Sequence, residues 1–333
     1  MTIKDMKFID LFAGIGGFRQ ALEFYGAECV FSSEKNKYAI ETYEANYGEK
    51  PSGDITKIKS EDIPSHDILC AGFPCQPFSV SGKQMGFDDE RGIHFFEILR
   101  IVKHHKPSIL FLENVANLKK HNDSKTIEQM KLMLEELGYI VNMKVLNASD
   151  YNVPQSRKRI YFVCFNKEKL PVYKFEYPRP IKCNIFLKDI LEDDKKTEVY
   201  RIIRDDIVFK DIKIAKCEPK PIRIGTINKG GQGDRIYSPL GHAITLSAEG
   251  GGSGAKTGAY LINGHVRKLS PRECARVQGF PEEFIIADKN NQAYKQFGNS
   301  VALPVLKYIV SCIQDSINNV VISEVAIDEE SVK

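Results

Sequence analysis

The 333-residue chain contains no tryptophan and no CxxC pair, and it has only seven histidines. Its eight cysteines (Cys29, Cys70, Cys75, Cys164, Cys183, Cys217, Cys274, Cys312) are scattered, with no histidine spacing of the zinc kind, so neither a disulfide framework nor a metal site is indicated. No run approaches the roughly 20 apolar residues of a membrane span. The opening "MTIKDMKFIDLF" passes from a polar leader into a strand-like segment without a signal-peptide pattern, so a cytoplasmic globular protein with no membrane contact is expected. A net charge of +3 is too small by itself to argue for nucleic acid. What remains is an ordinary composition, 42% hydrophobic and 27% charged, with enough length for a large core and two domains.

The residues that are present are unevenly spread. From Lys213 to Arg272 ten basic side chains face three acidic ones, a local excess of seven that would attract a polyanion. Eleven of the 24 glycines lie between Gly225 and Gly264, a density that suits loops approaching a partner closely. The first 166 residues instead alternate apolar runs such as "KFIDLF", "HDILC" and "SILFLENV" with amphipathic stretches such as "FFEILRIVKHH". That alternation predicts an α/β fold with a mostly parallel sheet covered on both faces. The expected division is a larger domain from 1–187 and 299–333 and a smaller one with its hinge at 188–298. The helix "VALPVLKYIVSCIQDSI" is expected to pack back on the first domain, and "SEVAIDEESVK" to fray as an acidic tail.

Two clusters of candidate residues fall at strand ends. In "FIDLFAGIGG" an apolar strand meets a glycine turn built on Phe12, Gly14 and Gly16; this is FxGxG and not GxGxxG. Glu34, closing the next strand-like run, would reach ribose hydroxyls, and Asp54 could accept from an adenine amino group. Together they favour an adenosyl cofactor, with a nicotinamide dinucleotide and S-adenosylmethionine both open at this point. The second cluster begins with Cys75, in a loop after a strand ("DILCAGFPCQPF"), where a thiolate could form; Cys70, inside the strand, is its structural counterpart. Glu113 ends the strand "SILFLENV", where a carboxylate is costly unless it caps, pairs or reacts. In "DYNVPQSRKRIYFV", Arg157 and Arg159 alternate, so one can point at the site while the other points away.

In order, the FxGxG turn, PCQ (Pro74, Cys75, Gln76), ENV (Glu113, Asn114, Val115), QxRxR (Gln155, Arg157, Arg159), the glycine-rich region, RECARVQGFP (Arg272 to Pro281) and GNSV (Gly298 to Val301) resemble the motif series of bacterial DNA cytosine-5 methyltransferases. The resemblance covers essentially the whole chain. It implies a Rossmann-like S-adenosylmethionine-dependent methyltransferase domain joined to a smaller, β-rich target-recognition domain. Cys75 would add to carbon 6 of a cytosine flipped out of double-stranded DNA. Glu113 would hydrogen-bond or protonate ring nitrogen 3, and Arg159, with Arg157 beside it, would orient the base. Cofactor contacts would come from Phe12, Gly14, Gly16, Glu34, Lys35, Asp54, Ile55, Pro74 and Asn299. "SVSGKQMGFDDERG" reads as a lid with Ser81 on its DNA-facing side.

"KGGQGDRIYS", "AITLSA" followed by "GGG", and "AKTG" are similar to the recognition loops of a family member that reads GCGC. By that likeness Gln232 fills the space left by the flipped base, Arg235 reads guanine, and Glu249 and Gly252 belong to the same DNA-reading surface. Two positions depart from the pattern: Glu249 stands where an aromatic residue is found, and Lys35 where a tryptophan would stack on adenine. Stacking there must come from aliphatic packing by Ile55 and the lysine stem. The resemblance further implies a monomer within a type II restriction-modification system, with a cognate endonuclease acting on the same site. A tRNA cytosine-5 methyltransferase and a catalytically silent DNA-binding protein are the competing readings.

Overall fold

The computed structural model describes residues 2–74, 93–121 and 124–331, with backbone alone for Ile93, Lys120, Gln232 and residues 320–331. Its first half runs β1 (Lys7–Leu11), α1 (Gly17–Glu23), β2 (Glu28–Ser33), α2 (Lys37–Tyr47), β3 (Ile68–Gly72), α3 (Ile93–His105), β4 (Ile109–Val115), α4 (Lys125–Glu136), β5 (Tyr139–Asn147) and β6 (Lys158–Asn166). The six strands form one sheet in the order β2-β1-β3-β4-β6-β5. Alternation of side chains along each strand sends Ile68, Cys70, Ile109 and Phe111 to one face, against Phe18 and Leu22 of α1. Leu69, Ala71, Leu110 and Leu112 go to the other face, under Ile98 of α3 and Met130 and Leu134 of α4. Both faces are covered, which is why these strands read as nearly continuous apolar runs.

Strands β1 to β4 are parallel, while β6 runs antiparallel to both β4 and β5. An apolar run carries no signal of its direction, so this reversal is invisible in the sequence. It decides the site: β6 starts where β4 ends, with Arg159 opposite Val115 and Tyr161 opposite Glu113. Residues leading into β6 therefore arrive at the same rim as residues closing β4. At that rim the connections after β1 and β3 diverge, because β2 lies on one side of β1 and β3 on the other; ligands of α/β sheets bind in such a crevice.

After a short helix α5 (Asp194–Thr197), a second sheet has the order β11-β10-β9-β8-β7, built from β7 (Ile207–Phe209), β8 (Ile222–Ile227), β9 (Arg235–Ser238), β10 (Ala259–Ile262) and β11 (His265–Arg267). Its own core is small, centred on Ile224, Ile227, Ile236, Ala259 and Val266. Helix α6 (Pro271–Val277) follows with proline in its first turn and a capping box between Ser270 and Glu273. Glu273 also receives both Nη groups of Arg267, at 2.7 and 2.8 Å, in a pair almost wholly withdrawn from water.

Helices α6 and α7 (Asn290–Asn299) pack on both halves: Cys274, Val277, Ala293 and Phe297 share a cluster with Ile15 and Ala39 of the first half and with Tyr237 and Tyr260 of the second sheet. The boundary expected between 298 and 299 thus falls inside α7. Gln296 ties that helix to α2, donating to the Tyr38 carbonyl at 2.8 Å. Helix α8 (Leu303–Ser331) lays Leu306, Ile309 and Val310 into the same cluster as Phe18. Its backbone stays helical as far as Ser331, within the acidic segment expected to fray, where no glycine or proline interrupts it. The stretch Asn290–Asn319 is long and apolar enough to cross a membrane, yet more than half of its most apolar window is buried in the protein.

Candidate active site

A cavity of about 650 Å³ opens at the carboxyl ends of β1 to β4 and reaches across to α7. Its size is in the range of about 300–1,000 Å³ common to small-molecule sites. The sequence brings three groups of residues to its wall.

The first is the turn after β1. Phe12, Gly14 and Gly16 all have positive φ, 55°, 56° and 82°. At Gly16 a Cβ would lie 2.4 Å from the Tyr47 ring, whose hydroxyl donates to the Gly16 carbonyl at 3.0 Å. At Gly14 a Cβ would meet nothing within 4 Å, so this backbone faces open space in the cavity. Glu34 braces the turn: its two oxygens accept the Gly14 N–H at 2.9 Å and the Asn36 N–H at 2.7 Å. Each oxygen retains a lone pair for a further donor. Asp54 caps a short 3-10 turn, its Oδ1 taking the amide and hydroxyl of Thr56. Burial pulls the Asp54 carboxyl up, but the Thr56 bonds with Lys35 and Lys57 outweigh this and leave it below its usual value. Lys35 and buried Ile55 line the cavity alongside it, with Pro74 and Asn299 also on the wall. This set fits an adenosyl group: carboxylate acceptors for ribose hydroxyls, an apolar slot beside Ile55 and Phe12, and a glycine backbone open to close approach.

The second group is the end of β4. Glu113 is 7% exposed, and its Oε1 lies 2.9 Å from Arg159 Nε. Gly72 is its partner in register on β3, and a Cβ there would reach the carboxylate only in ordinary van der Waals contact, 3.7 Å from Oε2. Burial pushes the Glu113 carboxyl above its ordinary value, and Arg159 and Arg157 only partly pull it back. A carboxyl of this kind can hold a proton and hand it to a ligand nitrogen. Asn114 donates from Nδ2 to the Phe73 carbonyl at 3.0 Å and so fixes the loop leading to Pro74. Cys75 and Ser81, which follow, lie outside the described residues, as does the side chain of Gln232. Cys70 is fully buried within β3, and burial pushes its thiol well above the usual range.

The two arginines before and within β6 part company. Arg159 meets the carboxylate. Arg157 is buried, and its fork is taken up by three backbone carbonyls: Leu246 and Gly298, each at 3.1 Å, and Ser300, at a still closer distance. Both arginines line the cavity, rather than one facing it and one turned away, and the geometry also gives Arg157 the work of holding β6 to the segments that close it. Gly298 is required there, since a Cβ would fall 2.2 Å from the Ala248 nitrogen.

The third group comes from the second half. Gln292, Lys295 and Gln296 of α7, with Ser300 just after it, line the cavity; nothing in the spacing of "NNQAYKQ" singles them out. Glu249 is exposed and lies 3.8 Å from Lys295 Nζ. Arg235 opens β9 with its buried Nε unpartnered. Its loop is bonded to the next one: Gly254 donates to the Gly233 carbonyl and Ser253 to Asp234 Oδ1, both at 2.7 Å, beside Gly252 in the left-handed region. His94 also lines the cavity; its only signal in the sequence is a lone histidine opening the apolar helix "IHFFEILRIV". Beneath the site Asp10 of β1 is fully buried with neither carboxylate oxygen hydrogen-bonded, and burial pushes its carboxyl up to about 8 against the pull of Arg19.

Residues 6–315 match the family described as C-5 cytosine-specific DNA methylase. The chain is 55% identical over 313 residues to type II methyltransferase M.HhaI of Haemophilus parahaemolyticus, covering 94% of this chain and 95% of that one. It is 40% identical to type II methyltransferase M.HpaII of Haemophilus parainfluenzae, over 94% of this chain and 90% of that one. Among solved structures, the S. pombe Dnmt2 methyltransferase superposes with a TM-score of 0.73 at 21% identity, covering 94% of this chain and 99% of that one. A putative DNA modification methyltransferase encoded within an E. coli prophage gives 0.66, also at 21% identity, over 94% of this chain and all of the other.

Proposed function

The chain belongs to the C-5 cytosine-specific DNA methylase family, and from that premise we propose that it methylates carbon 5 of a cytosine flipped out of duplex GCGC, with S-adenosylmethionine as donor. Its type II relatives modify DNA within restriction-modification systems, and it is a DNA cytosine-5 methyltransferase of that kind. The observation that carries the site assignment is the Glu113–Arg159 pair, buried at the cavity wall directly beside the Pro74 loop.

Cytosine carbon 5 is a weak nucleophile. Addition of the Cys75 thiolate to carbon 6 turns it into an enamine-like one, and Glu113 supports that addition by giving its proton to ring nitrogen 3. Arg159 keeps the carboxyl oriented and presents its remaining N–H groups toward the ring carbonyl. Glu34, Asp54, Ile55 and the Gly14 backbone would hold S-adenosylmethionine, which when bound supplies an electrophilic methyl group. Loss of the carbon 5 proton to water re-forms the carbon 5–carbon 6 double bond and expels the Cys75 thiolate, while the proton on ring nitrogen 3 returns to Glu113. Arg157 acts as a positioning residue. The loops carrying Gln232, Arg235, Glu249 and Gly252 would read the duplex; the 55% identity to M.HhaI supports the GCGC target.

Labelled methyl transfer to duplexes containing GCGC, CCGG or neither, by wild type and Cys75→Ser, tests this. Label on GCGC alone, and only with Cys75 present, is the expected result. Transfer to another duplex overturns the target assignment, and transfer by Cys75→Ser overturns the nucleophile. Label on tRNA but on no duplex overturns the DNA substrate.

A further inference from the structure

His94 sits in the first turn of α3, and its ring forms cavity wall next to Phe12, Asp54 and Ile55. The residue is 9% exposed, and Nδ1 is wholly buried with no hydrogen-bond partner among the described residues. With Nδ1 sealed inside the protein, the remaining ring nitrogen, Nε2, is the one a ligand in the cavity can meet. Packing fixes the ring: it meets Phe12 edge-on, with centroids 5.1 Å apart and 72° between planes. Burial lowers its proton affinity, Lys35 lowers it further, and Asp54 and Glu97 oppose without reversing the shift. The imidazole is therefore neutral at ordinary pH and offers one N–H donor and one bare acceptor nitrogen.

An acidic residue at the end of the second strand of such a sheet meets ribose hydroxyls, which places the nucleobase beyond Glu34, toward Lys35, Asp54 and Ile55. Adenine carries an amino donor and ring-nitrogen acceptors along one edge, the complement of a neutral imidazole. We propose that His94 hydrogen-bonds to the adenine of the bound cofactor and supplies directional recognition in a base slot where position 35 brings a lysine in place of an aromatic ring. The assignment rests on the cofactor reading above.

Titration calorimetry of the whole chain with S-adenosylhomocysteine at pH 7.5 tests it without turnover. His94→Leu is expected to bind about three- to tenfold more weakly, the worth of one neutral hydrogen bond. His94→Gln, with a donor and an acceptor, is expected to recover most of the loss. Protonation of the imidazole removes its acceptor, so as pH is lowered through its titration wild type should lose affinity that His94→Gln, in which position 94 does not titrate, keeps. S-inosylhomocysteine, lacking the amino group, should be discriminated less well by His94→Leu than by wild type. Wild-type affinity in His94→Leu with an unchanged preference between the two ligands overturns the proposal. Should the leucine variant not fold, an identical pH response in wild type and His94→Gln overturns it. Failure of wild type to bind either ligand overturns the cofactor reading as well.

Discussion

The two sheets solve opposite problems. Around the first, three side chains at the strand ends are each tied to a named partner: Glu34 to Gly14 and Asn36, Glu113 to Arg159, and Asn114 to the Phe73 carbonyl. Around the second, the loops are bonded mainly to one another through glycine backbone, and Arg235 keeps an unpartnered Nε. Bond-making chemistry needs groups fixed to within fractions of an ångström, whereas reading a duplex needs a surface that can be rebuilt by changing side chains. Under the proposed function the large core, covered on both faces, would serve the first need and the small one the second.

The sharpest way to test that contrast is at Glu113. Replacing it by Gln keeps the shape but removes the proton donor, so the transfer rate should fall by about a hundred- to ten-thousandfold. Duplex affinity, measured by fluorescence anisotropy, should stay close to wild type. If affinity falls as far as rate, the division between the two regions is wrong. Next in size is the Arg267–Glu273 pair, which anchors the end of the second sheet to α6. Glu273→Ala leaves a buried guanidinium unpaired and should cost about 3–5 kcal/mol in urea unfolding. A smaller loss would show that the second region is less dependent on its anchor than its buried geometry indicates.

An effect of comparable size, spread over several pH units, is a pH response confined to the first region. Folded Asp10 holds its proton up to about pH 8, whereas an unfolded aspartate releases it near pH ~4. The folded state thus binds more protons between those values, and stability should fall as pH rises through that window, by at most about 1.4 kcal/mol per unit. Asp10→Asn should flatten this slope, measured by unfolding at pH 5 and pH 8. An unchanged slope would mean that Asp10 is ionised in the fold.

The elements of the first sheet were legible in the sequence because both of its faces are buried, so strands such as "ILFLENV" announce themselves. Strand direction was not, since antiparallel β6 has the same composition as its parallel neighbours. The glycine turn, Glu34 and Glu113 drew attention because each stands at a strand end; Asp54, which caps a 3-10 turn between α2 and β3, has no such position to mark it. Arg157 and Arg159 were inseparable: two residues apart and chemically identical, they differ only in whether carbonyls from distant segments meet the fork. His94, Lys295 and Gln296 come to the cavity from helices whose patterns record core packing alone. Cys75, Ser81 and the Gln232 side chain stay expectations from motif likeness.

The Arg157 fork has one further consequence. All three of its acceptors are main-chain carbonyls, at Leu246, Gly298 and Ser300, and a carbonyl is supplied by whatever residue stands there. Substitutions in the loop that carries position 246 can therefore accumulate without loosening its attachment to the reaction chamber. Under the proposed function, the target read by that loop could change while the same hinge pin is kept.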